Sequence, residues 1–274
     1  MATRMARRFL AGLDGLRYEP TAKRIRAELD GATALDSTRA LLVWEPQRVV
    51  PQYAVPAADV RGDLVAAPGA GDRHGPGPVP LGSGGQQVLT PATGFGVHTS
   101  AGEVLTVRLG DQERPGSAFR PADPDLDGYV VLDFAAFGPW FEEDEQVLSH
   151  PRDPFHRIDV RRSSRRVRIE HRGRVLAEST RPSLLFETHL PVRYYLPAED
   201  VATDLLRRSD RVTSCAYKGV ASYWSLDDLP DVAWTYPDPL PDAVQIKDLV
   251  SFFTERVDVV LDGVPQQRDI SPWS

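Results

Sequence analysis

The chain has 274 residues, 41% hydrophobic and 26% charged, with a net charge of −7. This is the composition of a folded, soluble protein with room for two ordinary cores, and the acidic balance argues against a nucleic-acid partner, which needs a basic excess. Apolar runs such as "ALLVW" at 40–44 fall far short of the ~20 residues that cross a bilayer, so no membrane partner is expected.

The N-terminal "MATRMARRFLAGLDGL" is basic at its start, but Asp14 interrupts its short apolar stretch, so it is not expected to act as a secretory leader. Cys215 is the only cysteine, which excludes an internal disulfide and agrees with a reducing, cytoplasmic location.

An internal repeat then organises the chain. "RIRAELDGATALDSTRALLVWE" at 24–45 aligns without a gap with "RVRIEHRGRVLAESTRPSLLFE" at 166–187, and "YAVPAADVRGDL" at 53–64 matches "YYLPAEDVATDL" at 194–205. A second block, 118–137, aligns with 233–252. Self-similarity of this kind marks a repeated structural unit. The chain therefore reads as two domains: a diverged N-terminal copy, 1–150, and a C-terminal copy, 151–274. The N-terminal copy carries a Gly/Pro-rich loop at 67–87, its "FEEDE" at 141–145 reads as the acidic end of a helix, and "SHPRDPFHRIDV" at 149–160 reads as a linker.

Each copy reads as mainly β (α+β), a small sheet domain with one principal helix. In "RVRIEHRG" Val167 and Ile169 alternate with Arg166, Arg168 and Glu170, and His171–Arg172–Gly173 suits a hairpin turn. The arginine-rich run 156–175 reads as a strand with a solvated outer face. "SLLFE", "SCAYKG", "SYWSL" and "VAWTY" read as short strands, 196–208 as one or two helical turns, 241–255 as a helix opening on Pro241, and 256–263 as a closing strand. "SCAYKG" has no counterpart in the first copy.

"RPSLLFETHLPVRYYLPAEDV", "TSCAYKGVASYWS", "AWTYPDPLP" and "VSFFTERVDV", in that order, resemble the successive motifs of the family called domain of unknown function 427, also labelled NTP_transf_9. The resemblance covers about 165–262 and implies a small, mostly β domain with one helix, in a tent-like, Mss4-like arrangement. It also implies a signature formed by Glu187, Arg193, Tyr194, Asp200, Cys215, Tyr217, Lys218, Gly219, Tyr223, Trp224, Trp234 and Tyr236. The transferase label has no matching residues: a Gly-Ser turn with paired carboxylates for Mg²⁺ is absent at suitable spacing. No cofactor and no metal are expected, because the six histidines are scattered and the cysteine has no cysteine partner.

The candidate site is a pocket of the C-terminal copy for a small anionic, planar, nucleotide-like molecule. Lys218 and Arg193 would hold the anion. Tyr194, Tyr217, Tyr223, Trp224 and Trp234 would supply walls, and Asp200 or Glu187 would orient a basic group or serve as acid/base. Strand alternation over 214–219 would put Cys215 and Lys218 on opposite faces, which disfavours a thiol nucleophile assisted by that lysine. A cysteine-dependent enzyme using Cys215 and a non-catalytic protein-interaction module stay open as alternatives, and the composition is compatible with a homo-oligomer.

Overall fold

The structure, a computed structural model, describes residue 2 and residues 11–69, 76–81 and 85–271. Most of the basic N-terminal stretch, and residues 70–75 and 82–84 of the Gly/Pro-rich loop, lie outside the described residues. Contacts divide the chain into two compact units, Met1–Val79 with Gln87–Asp153, and Pro80–Gln86 with Pro154–Ser274. No helix among the described residues is long and apolar enough to cross a membrane.

The first unit contains β1 (Arg17–Pro20), β2 (Ile25–Leu29), β3 (Ala32–Ser37), β4 (Leu41–Trp44), β5 (Gln52–Pro56) and β6 (Asp63–Ala66). Two short strands, β7 (Val79–Leu81) and β8 (Gln86–Val88), follow in the chain, where Pro80–Gln86 counts with the other unit. Then come β9 (Gly102–Leu109), β10 (Gln112–Pro121), β11 (Tyr129–Leu132), β12 (Trp140–Glu142) and β13 (Glu145–Val147). Its main sheet has the order β1-β4-β5-β11-β10-β9-β6, and a smaller one runs β13-β12-β2-β3. Ile25, Ala27, Leu35, Trp140 and Val107 meet in its core.

The C-terminal unit contains β14 (Ile158–Arg162), β15 (Val167–His171), β16 (Arg174–Ser179), β17 (Ser183–Glu187) and β18 (Arg193–Tyr195). It continues with β19 (Arg207–Cys215), β20 (Gly219–Leu226), β21 (Leu229–Thr235), β22 (Ser251–Phe252), β23 (Asp258–Leu261) and β24 (Val264–Pro265). These form three antiparallel sheets, β14-β17-β18, β16-β15-β23-β24 and β19-β20-β21-β22.

Local chemistry accounts for the hairpins. In β15 the alternation buries Val167 and Ile169 against the core, because successive side chains of a strand face opposite ways. Arg172 (φ 50°) and Gly173 (φ 76°) then make a tight turn of the left-handed kind that right-twisted strands favour. Asp30 (φ 50°) and Gly31 (φ 83°) do the same between β2 and β3. Both hairpins carry a register shift, between Ala27 and Glu28 in one and Ile169 and Glu170 in the other. The arginine-rich run is laced with surface ion pairs: Arg161–Asp159, Arg165–Asp262, Arg166–Glu178 and Arg168–Glu170.

Three sequence expectations are corrected. The helix expected over 241–255 is only a 3-10 turn, Pro241–Ile246, since Asp248 turns to φ 59° and Ser251–Phe252 pairs with β21. Among the described residues neither unit shows its expected principal helix, and the helical pieces are short 3-10 turns. "FEEDE" is the β12/β13 hairpin, because pairing of Trp140 with Ala27 extends the sheet and buries the indole. In the blocks aligned by sequence, Ala118 pairs with Leu132 in the first unit and Ala233 with Phe252 in the C-terminal one.

The last correction bears on the site. The strand expected through 214–219 ends at Cys215, and its partner β20 starts at Gly219 directly opposite. Residues 216–218 are the connecting turn, so strand alternation does not separate Cys215 from Lys218.

Candidate functional site

Gly219 shapes the turn that presents Lys218. Its φ of +96° is one that side-chain-bearing residues rarely adopt, and a Cβ there would stand 3.1 Å from the Asp238 carbonyl oxygen and 3.3 Å from the Leu240 nitrogen. The Leu240 amide donates to the Lys218 carbonyl at 3.1 Å, which ties the turn to the segment after β21.

From that turn the Lys218 side chain, 11% exposed, reaches Glu187 at the end of β17, where its Nζ donates to Oε2 at 2.5 Å. The other carboxylate oxygen, Oε1, is 3.1 Å from Nε2 of His156. His156 in turn stacks on the Tyr217 ring, centroids 4.5 Å apart. Burial opposes ionisation of Glu187, but the Lys218 charge and the bonds from His156 and Lys218 outweigh it and hold its pKa at about 2. Burial also works against the Lys218 ammonium, yet Glu187, then Cys215 and Tyr195, raise its pKa above the ordinary range. The pair is a charged one, and the Cys215 sulfur belongs to its electrostatic surroundings.

Three phenols complete the neighbourhood. Tyr195 is fully buried on β18, accepts from the Trp234 indole at 3.1 Å, and burial pushes its pKa up. Tyr236 is 5% exposed; burial, then Tyr195, Cys215, Tyr223 and Glu187, push its pKa well up. Among the described residues the Tyr236 hydroxyl has no hydrogen-bond partner. Tyr223 bonds Thr213 through its hydroxyl at 2.8 Å and packs with Tyr195, Trp234, Tyr236 and Phe253 in one cluster.

The other residues singled out from the sequence go elsewhere. Arg193 forms a two-bonded pair with Glu255, at 2.8 and 2.5 Å, donates to Thr254 at 2.8 Å, and lies over the Trp234 and Phe253 rings. Asp200 accepts from Ser179 at 2.7 Å and from Arg181 at 3.1 and 3.2 Å. A shallow groove beside it is lined by Val175–Glu178 and Glu199–Ala202. Arg193, Asp200 and Lys218 are thus spent on three different partners rather than gathered on one. Tyr194 and Trp224 pack on the opposite core from Tyr223 and Trp234, because neighbours in a strand face opposite ways.

Sequence reasoning missed His156 as a partner of Glu187, Tyr195 and Tyr236 as polar members of the cluster, and Thr254 and Glu255 as partners of Arg193. Tyr195 was legible in principle: it sits one step from Tyr194, and only the choice of strand face separates them. His156 lay in the expected linker and carried no signal.

In the first unit the aligned glutamate, Glu45, is fully buried. Its Oε1 accepts from the amides of Thr99 and Ser100 at 3.2 Å and the Ser100 hydroxyl at 2.7 Å, and its Oε2 is 3.1 Å from His98 Nδ1. Arg48 lies 3.6 Å away. Where the C-terminal unit has Tyr195 and Tyr236, the aligned positions hold Ala54 and Pro121.

Of the curated proteins searched, none matches the chain. Residues 159–263, spanning this Lys218–Glu187 centre, match the family model NTP_transf_9, described as a domain of unknown function (DUF427). The match lies within the C-terminal unit.

Proposed function

We propose that the chain is a tandem of two copies of one β module, and that the C-terminal copy binds a small anionic, planar molecule at the Lys218 turn. One observation carries this reading: unspent hydrogen-bond donors in an aromatic surrounding. Lys218 uses one of its three N–H groups, on Glu187, and the Tyr236 hydroxyl uses none on its neighbours. Both are kept protonated by their surroundings, so both present donors to an oxyanion. The rings of Tyr217, Tyr223 and Trp234 offer faces to a planar group. The N-terminal copy keeps the glutamate but surrounds it with its own loop, and acts as a structural partner. A single cysteine fits a cytoplasmic setting.

Titration calorimetry with benzoate and with adenosine monophosphate tests the proposal. Binding by the wild type is expected, with a loss of about tenfold or more in Lys218→Met and in Tyr236→Phe, as a hydrogen bond to a charged group contributes about 1.5–3 kcal/mol. Equal responses from wild type and variants would overturn it.

A second reading draws on Cys215, an unpaired, half-buried thiol that contributes to the Lys218 environment. It makes the same centre a thiol enzyme, with Cys215 as the nucleophile. Rapid labelling of Cys215 by iodoacetamide at neutral pH, slowed in Lys218→Met, is the expected result; labelling that needs denaturant dismisses it.

A further inference from the structure

The two oxygens of Glu187 are held by two different side chains, one a cation and the other able to become one. Lys218 takes Oε2 and His156 takes Oε1. With His156 neutral, Glu187 and Lys218 cancel, and an incoming anion meets a carboxylate beside its lysine. Like charges a few ångströms apart in a partly desolvated site repel strongly, so the anion gains little from Lys218 as long as Glu187 is neutralised by it alone. With His156 protonated, Glu187 has a second positive partner at hydrogen-bond distance, and Lys218 is released to the ligand.

We infer that the C-terminal unit takes up a weak acid as its two parts, an anion on Lys218 and a proton on His156, with Glu187 passing from the lysine to the imidazolium. This rests on the anion-binding reading above and adds the class of ligand charge and its coupling to pH. Geometry suits the exchange. His156 Nε2 already points at Oε1, its ring is kept in place by stacking on Tyr217, and its side chain keeps 18% exposure, enough to trade protons with water. The charged and titratable groups about it are Glu187 on β17, Lys218 and Tyr217 on the turn, and Cys215 and Tyr195 through their effect on Lys218. On its own segment, Arg157 is taken up by Asp159. Only one of these groups, the imidazole, has an ordinary pKa within the physiological range. In the first unit the corresponding glutamate is bonded by loop amides and a hydroxyl as well, so no such exchange is open to it.

Benzoate is a suitable probe because it stays a monoanion between about pH 5.5 and 8, where histidine titrates. Calorimetry in buffers of different ionisation enthalpy reads proton uptake directly, and about one proton per benzoate is expected toward the upper end of that range. In that range the dissociation constant should rise up to about tenfold per pH unit. His156→Gln should bind weakly at every pH with no proton uptake. Binding of benzoate by the wild type without proton uptake overturns this inference and leaves the anion site standing, whereas absence of binding at every pH overturns the anion site itself.

A ligand-free measurement tests the shared carboxylate independently. The His156 titration followed by NMR in Lys218→Met should move to higher pH than in the wild type, since Glu187 then has the imidazolium as its only cation; an unmoved titration shows that the two do not share Glu187 and overturns the exchange.

Discussion

The Lys218 ammonium and the Glu187 carboxylate meet at 2.5 Å with both side chains almost wholly buried, and each keeps the other charged. The Glu187 pKa of about 2 lies below its ordinary 4.5, so its contribution to stability is fully present above pH 4.5 and is lost as pH falls from there toward 2. A shift of that size corresponds to on the order of 3 kcal/mol at about 1.4 kcal/mol per unit. For Lys218, whose pKa is raised, the same interaction is present below the ordinary lysine value and is lost as pH rises through the higher folded value. Chemical denaturation across the acid range should therefore show a steep loss for the C-terminal unit that Glu187→Gln flattens. An unchanged acid slope in that variant would contradict the charged pair.

Gly219→Ala should damage the site more than the fold. The positive φ and the 3.1 Å approach to the Asp238 carbonyl make alanine strained by about 1–3 kcal/mol. The turn can relieve that strain by moving, and Lys218 moves with it. Melting temperature and benzoate affinity measured together are expected to show a modest drop in the first and a large loss in the second.

Arg193 is placed for stability. Removing it in Arg193→Met leaves Glu255 buried beside Thr254 and Ser271 without its cation, and breaking a buried pair in this way costs about 3–5 kcal/mol. The double variant Arg193→Met/Glu255→Gln removes the stranded charge and should recover part of the loss. Urea unfolding of the three proteins checks the order.

Asp200 should prove silent in ligand binding. Its carboxylate is committed to Ser179 and Arg181, repeating the bonds of Asp59 to Ser37 and Arg39 in the first unit. Asp200→Asn is expected to cost about 1 kcal/mol of stability and to leave the benzoate affinity unchanged. A selective loss of affinity would return Asp200 to the site.

Much of the mainly β architecture was legible in the sequence because its cause is local. Alternation in "RVRIEHRG" buries Val167 and Ile169 on one side, and the Arg172–Gly173 pair can take the left-handed turn that joins β15 to β16. The helix over 241–255 misled for a physical reason. Its apolar spacing also serves a 3-10 turn followed by a strand, and only pairing of Phe252 with Ala233 chooses between them.

The site residues divide along the same line. Residue type alone marked Lys218 and Glu187 as unusual, one a rare lysine among arginines and the other repeated as Glu45. "TSCAYKG" does not say where its strand stops, so the faces of Cys215 and Lys218 were out of reach until the Cys215–Gly219 pairing put a turn between them. Partners distant in the chain, Glu187 with Lys218 and His156, or Arg193 with Glu255, carry no local signature, because a carboxylate attracts whichever cation the fold brings near. Sequence by itself determined the strand periodicity, the turn chemistry and the family resemblance of residues 159–263. Tertiary packing decided which charges are spent on each other, since that depends on distances across sheets that no short stretch encodes.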